Sequence, residues 1–209
     1  MNVIQGARRT AVAVAMSLGW LVSPLAQADV SDIVKECDSC HGADGVSTES
    51  KIPTIAGFSE FVFEEYMYQY QDEARPCREV EYPSGDEKGT KTTMCEEAAE
   101  LSEEQISELT GYYAGKSFKA ATQEFDAALA AEGASIHKRD CEKCHTDGGS
   151  YAGDDAGLLA GQWMGYLQQV FADYAAGERS MMEDKMKEKV DALDEASTKA
   201  LIHYYASQQ

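Results

Sequence analysis

Basic residues are scarce in this chain. Among 209 residues there are 18 Lys and Arg against 37 Asp and Glu, a formal net charge of −19. Nucleic acids and anionic membranes are held by clustered cations, so so acidic a chain is a poor candidate for either. An acidic surface is compatible with steering toward a basic partner. Long apolar runs are lacking as well. The run from Thr10 to Leu25 is shorter than the ~20 residues a span needs and is interrupted by Pro24. It follows Arg8 and Arg9 and precedes Ala26-Gln27-Ala28, a small-x-small cleavage site. Residues 1–28 are therefore expected to be a secretory signal peptide cleaved after Ala28. The mature chain would hold 37 acidic and 16 basic residues, with no membrane span. Histidine is rarer still. There are four, and two of them close a repeated motif.

That motif organises the chain. Cys37-Asp38-Ser39-Cys40-His41 and Cys141-Glu142-Lys143-Cys144-His145 both read C-x-x-C-H, the attachment pattern of a c-type haem. Two thiols add across the two vinyl groups of one haem. Two intervening residues put the sulfurs about one helical turn apart. The adjacent histidine, His41 or His145, then reaches the iron as proximal ligand. Two such motifs 104 residues apart imply two covalent haem c groups. Of the six cysteines, Cys77 and Cys95 remain, and in an exported chain a disulfide between them is expected.

The rest of the chain repeats at the same spacing. Ile55-Ala56-Gly57 recurs as Leu159-Ala160-Gly161, Tyr70 as Tyr174, and Arg75 as Arg179, all at an offset of 104. Leu101 recurs as Leu193, and Tyr112-Tyr113-Ala114 as Tyr204-Tyr205-Ala206, at an offset of 92. The first copy thus carries 12 additional residues, within a charged stretch from Gln71 to Met94 that reads as a loop. The repeat register places residues 29–116 in one domain and 124–209 in a second, with a linker over 117–123. The offset of 92 also pairs Met94 with Met186, each seven residues before the leucine opening the final helix. A thioether sulfur there suits the second axial position of each iron. Met181 and Met182 are rivals of Met186. Met67 and Met164 read as core fillers, and His137 and His203 as non-ligating, His137 on the exposed side of its helix.

Local patterns predict helices. Val30 to Asp38 reads as a short helix with Ser31 or Asp32 as its cap. Phe61, Tyr66, Met67 and Tyr70 share helical spacing, most of them expected in the core and one or two against the haem, and Phe125 to Lys143 is helical in character. Ser102 and Gln105 form a capping box, flanked by Leu101 and Ile106 as a hydrophobic staple. In the second copy Asp194 replaces Ser102 and the box is lost.

The mature chain resembles dihaem cytochromes built from two class I cytochrome c domains, both the periplasmic c-four type and the cytochrome subunit of flavocytochrome c sulfide dehydrogenase. The stretch Phe125 to Ala130, the motif Cys141 to His145, Leu159 to Trp163 and the terminal Tyr205 to Gln209 are most similar to the latter. The resemblance implies an all-α fold of two tandem domains related by pseudo-twofold symmetry. It also implies periplasmic electron transfer without a catalytic residue, and a redox partner: a flavin-containing sulfide dehydrogenase subunit, or a small carrier or terminal oxidase. In class I cytochromes a proline carbonyl receives the proximal histidine. Pro53 stands at that place in the first copy and Gly157 in the second, so unequal haems are expected. Two competing classes are weaker. A dihaem peroxidase needs an open distal position, and a zinc site would use the two C-x-x-C pairs together.

Overall fold

The protein is described by a computed structural model over residues 29–209, and the leader expected over residues 1–28 lies outside the described residues. The fold is mainly helical, and it runs as two successive bundles. The first contains α1 (Val30–His41), α2 (Glu60–Gln71), α3 (Met94–Ala99) and α4 (Glu103–Ala114). The second contains α5 (Ala127–Asp140), the single turn α6 (Thr146–Gly149), α7 (Met164–Ala176), α8 (Asp184–Asp191) and α9 (Glu195–Ala206). Among the described residues no helix is long and apolar enough to cross a membrane.

Side-chain caps start most of these helices by satisfying amide groups that have no partner within the helix. Asp29, rather than Ser31 or Asp32, caps α1, accepting from the Ser31 amide at 3.0 Å. Ser31 and Asp32 lie two and three residues too late, inside the first turn. The capping box of α4 is present, with Ser102 Oγ accepting from Gln105 N and Gln105 Oε1 from Ser102 N. Asp194 caps α9 through the Ser197 amide at 2.7 Å, without a reciprocal bond. Asp126 caps α5 through two amides, so that helix begins at Ala127 and leaves Phe125 exposed.

The first core gathers Ile33, Val34, Phe58, Val62, Phe63, Met67, Ile106, Leu109 and Tyr113. Burying each large apolar side chain contributes about 1.5–3 kcal/mol. Phe61, expected on the inner face of α2, instead faces solvent, because Val62 and Phe63 take the inward positions. The second core is smaller: Ile136, Leu167, Ala200, Leu201, Ile202 and Tyr205. Here α5 packs across α9 at Gly133. A Cβ on Gly133 would overlap the Ala200 carbonyl oxygen and lie 2.5 Å from its carbon, so only glycine permits this crossing.

The stretch expected to be a plain loop in the first half contains a β-hairpin. Strands β1 (Glu79–Glu81) and β2 (Lys91–Thr93) pair antiparallel, with Val80 opposite Thr92. Cys77 and Cys95 are joined in a disulfide at its base, with Cα atoms 5.4 Å apart. Val80 and Tyr82 turn inward while Glu79 and Glu81 point out, a period of two that the surrounding charges obscure.

Symmetry-related backbone bonds fix the end of each bundle. Gly57 N donates to Tyr113 O, and Gly161 N donates to Tyr205 O, both at 2.8 Å. The connection runs between these two corners without regular structure. Phe118 packs on the first core, and Ala121 N donates to Gly161 O in the second half. The halves also touch directly. The fully buried Gln162 accepts from Thr54 N at 3.1 Å and donates to Thr54 O at 2.7 Å, and Trp163 Nε1 donates to Ser47 O at 2.9 Å. Leu158, from the second half, sits in the first core.

Candidate cofactor pockets

In the first half, α1 delivers Cys37, Cys40 and His41 to one wall of a cavity of about 810 Å³, within the ~300–1,000 Å³ typical of small-molecule sites. The His41 ring is buried, and its Nδ1–H donates to the Pro53 carbonyl at 2.9 Å. That bond sets the tautomer and leaves Nε2 with a free lone pair. Burial pulls the His41 pKa down, outweighing the Pro53 carbonyl, so the ring is neutral. Burial pushes the Cys37 and Cys40 thiols up, to about 12 and about 11.

Met94 lines the same cavity. It is the first residue of α3, and Thr93 and Glu96 form a reciprocal capping box around that helix start. The disulfide at Cys95 ties the next residue to Cys77. Between imidazole and thioether the walls are apolar, with Ile33, Ile55, Phe58, Phe63, Met67 and Leu109 among them. Met67, expected as a core filler, is buried and also faces this cavity. The hairpin closes over the attachment segment. Ser84 Oγ donates to Ser39 O at 2.8 Å, and Gly85 abuts the Ser39 hydroxyl so closely that a Cβ would overlap it. Tyr82 is buried below, with its hydroxyl donating to Glu97 at 2.6 Å.

The opposite wall is aromatic and cationic, and the second half contributes to it. Arg75 lies 3.6 Å from the Tyr66 ring centre, and Arg179 lies 5.4 Å from that same ring and 5.1 Å from Tyr174. Arg78 pairs with Asp173. Arg75, Arg78, Tyr166, Asp173 and Arg179 all line the cavity. The recurrence of Arg75 as Arg179 was visible in the sequence, but its shared position at the boundary was not.

The second set of candidates is less tightly gathered. Cys141 is half-buried and its thiol meets the Tyr205 hydroxyl, whereas Cys144 is exposed. His145 is half-buried and hydrogen-bonds the Gly157 backbone. A side chain on Gly157 would displace Tyr66 of the first half, whose Oη lies 2.6 Å from where its Cβ would be. Met186 is half-buried on α8, a helix with no buried residue, and Met181 and Met182 are half-buried just before it. None of Cys141, Cys144, His145 and Met186 lines the large cavity. The sequence of α8, Asp-Lys-Met-Lys-Glu-Lys-Val-Asp, offers only Met186 and Val190 as apolar anchors.

His137 is a correction. Far from the exposed side of α5, it is 1% exposed. Its Nδ1 is 3.0 Å from Tyr205 Oη and its Nε2 is 2.6 Å from the Glu142 carboxylate. In the first half Tyr113 Oη donates straight to Asp38 at 2.9 Å, and Ile33 stands where His137 does. His203 accepts from the Asp126 amide at 3.0 Å. Among the described residues no three His, Cys, Asp or Glu side chains gather as a metal site.

The residues present fit a covalently held haem in the first half. Two thiols at the attachment spacing, a neutral imidazole and a thioether share one largely apolar cavity.

Neither the protein-family models nor the curated proteins contain a match to the chain. Solved structures do match. The cytochrome c4 of Acidithiobacillus ferrooxidans superposes with a TM-score of 0.67 at 24% identity, covering 82% of this chain and 98% of that one. The reduced recombinant cytochrome c4 of Pseudomonas stutzeri gives a TM-score of 0.67 at 22% identity, covering 88% and 100%. The thiosulfate dehydrogenase TsdBA of Marichromatium purpuratum gives 0.65 at 24% identity, covering 83% of this chain but 36% of that one. These likenesses establish the fold: all-α, with two tandem class I cytochrome c domains.

Proposed function

We propose that the chain is a periplasmic electron carrier with one covalent haem c in each half. The observation that carries this reading is the convergence of Cys37, Cys40, His41 and Met94 on a single cavity. When bound, each haem supplies an iron that alternates between ferric and ferrous states. The chain's own residues do the rest. Cys37 and Cys40, and in the second half Cys141 and Cys144, anchor the group as thioethers. Pro53 O orients His41, and the Gly157 backbone orients His145. Met94 and Met186 would offer neutral thioether sulfur to the iron, which would favour its reduced state. The largely apolar walls of the first-half cavity exclude water, and methionine ligation at both haems would leave no position open for substrate turnover.

Likeness over almost the whole length of two c4 cytochromes supports a free carrier of the c-four type delivering to a terminal oxidase. A second reading, the cytochrome subunit of a sulfide-oxidising flavoenzyme, draws on the second-half resemblance. It also draws on the likeness to part of a longer dehydrogenase chain.

A haem stain on a denaturing gel and the ferric optical spectrum test the carrier reading. Two low-spin haems with a Met-to-iron charge-transfer band are expected. Met94→Ala should remove about half of that band and Met186→Ala the other half. A high-spin haem in the unaltered protein would overturn the reading in favour of a peroxidase. Native purification with flavin fluorescence measured on the eluate separates the two partner readings: a flavin-free monomer excludes the subunit.

A further inference from the structure

Of the two disulfide-bonded cysteines, Cys95 is buried and Cys77 is exposed. Cys95 directly follows Met94, the thioether that lines the first cavity. The two ends of α3 are held by different means. At the far end Ala98 is fully buried, and Gln71 Nε2 donates to Ala98 O at 2.8 Å and to Leu101 O at 2.9 Å. At the start, where Met94 sits, the covalent tie is the disulfide to Cys77. Beside it are the β1–β2 ladder, three residues a strand, and the Tyr82 and Thr92 hydroxyls donating to Glu97. A two-stranded hairpin is marginal by itself in water. The other four cysteines belong to the attachment motifs, so α8 and Met186 have no such tie. The place of Met94 thus depends on a bond that a thiol can reach from solvent.

We propose that Cys77–Cys95 is a site of thiol–disulfide exchange, and that opening it releases Met94 from the first cavity. The proposal rests on the haem reading and goes beyond it. The partner is a dithiol, protein or small molecule. One of its thiolates attacks the exposed Cys77 sulfur; the S–S bond breaks, and Cys95 leaves as a thiolate that takes up a proton. The second thiolate of the partner then attacks the mixed disulfide and releases Cys77, which is protonated in turn. Two electrons and two protons pass to the protein, and the partner ends as a disulfide. With the start of α3 freed, Met94 withdraws and an axial position opens at the first haem for a small neutral ligand. Met186, on its own helix, stays where it is. The exposed disulfide would then make the first half a carrier when closed and a ligand-binding site when open.

The test uses the intact holoprotein reduced with ascorbate, which leaves disulfides whole, with and without the phosphine TCEP. Carbon monoxide is the probe ligand, and thiols are counted without denaturant. TCEP should free both thiols, and carbon monoxide uptake should rise from none to about one molecule per chain. Alkylating the freed thiols with iodoacetamide and reoxidising the iron should leave about half of the Met-to-iron band, as in Met94→Ala. Replacing Cys77 and Cys95 together with serine should allow uptake without TCEP and remove its effect. Freed thiols with no uptake and an intact band overturn the proposal, as does a disulfide that TCEP cannot open in the native protein. Uptake accompanied by loss of the Met186 signal in place of the Met94 signal overturns it too. If the double variant fails to fold, the unaltered protein with TCEP still decides. Uptake before TCEP is added, or absence of haem, defeats the functional reading instead.

Discussion

The two halves repeat one plan but protect it differently. In the first, the attachment segment lies under a disulfide-closed hairpin, and Tyr113 bonds directly to Asp38. In the second there is no such cover. Helices α5 and α9 cross at Gly133 instead, and His137 is interposed between Tyr205 and Glu142. The register equivalent of Gly133 in the first half is Asp29, the cap residue just before α1. That helix therefore starts too late to make the same crossing. Each half has replaced one source of stability with another, and the differences gather where a repeat meets something its twin does not. Gly157 shows this most directly. It stands in place of Pro53, and Tyr66 Oη from the other half lies 2.6 Å from where a Cβ would be.

Three sets of substitutions would break or sharpen this contrast. The largest effect is expected at Gly133→Ala, which forces a methyl group into the Ala200 backbone and should cost about 3 kcal/mol. The loss should fall on the second half, seen as an earlier melting step in calorimetry, while Asp29→Ala costs only about 1 kcal/mol through the lost cap. Equal losses from the two would remove the contrast. Next, replacing both Cys77 and Cys95 with serine should cost ~3 kcal/mol by opening an 18-residue separation. Denaturant unfolding followed by first-half and second-half probes should place that loss in the first half alone. The last and smaller pair of effects is expected at His137→Phe and Tyr113→Phe, with His137→Phe the larger of the two. His137→Phe strips a partner from the buried Tyr205 hydroxyl and should destabilise by about 2 kcal/mol. Tyr113→Phe should cost about 1 kcal/mol, because the Asp38 carboxylate it abandons can turn to water. Thermal melts of the two variants side by side check the order.

Much of this was legible beforehand because it depends on spacing along the chain. Helix starts at Ser102 and Asp194 follow from polar side chains that reach their own first turn. Cys37, Cys40 and His41 share a wall because they share one helical turn. The hairpin was not legible, since Val80 and Tyr82 are too few apolar residues to outweigh the charges around them. Phe61 and His137 were misread for a related reason. Helical periodicity says which residues share a face, but not which face a neighbouring element covers. His137 is buried because α9 lies over it and Tyr205 offers a hydroxyl. Met186 was proposed from the register alone, and the weakly anchored α8 leaves it half-buried.

The sequence by itself determined the duplicated plan, the two attachment segments, the pairing of Met94 with Met186 and the extra residues of the first copy. All of these are relations between residues counted along one chain. Only the tertiary structure decided what lies between the copies: Gln162 bonded to Thr54, Tyr66 filling the space beside Gly157, and Arg75 and Arg179 brought to one ring from opposite repeats. Those contacts join residues about a hundred positions apart. They exist because two amphipathic bundles bury their remaining apolar surface against each other, and no local pattern records which side chains that packing makes neighbours.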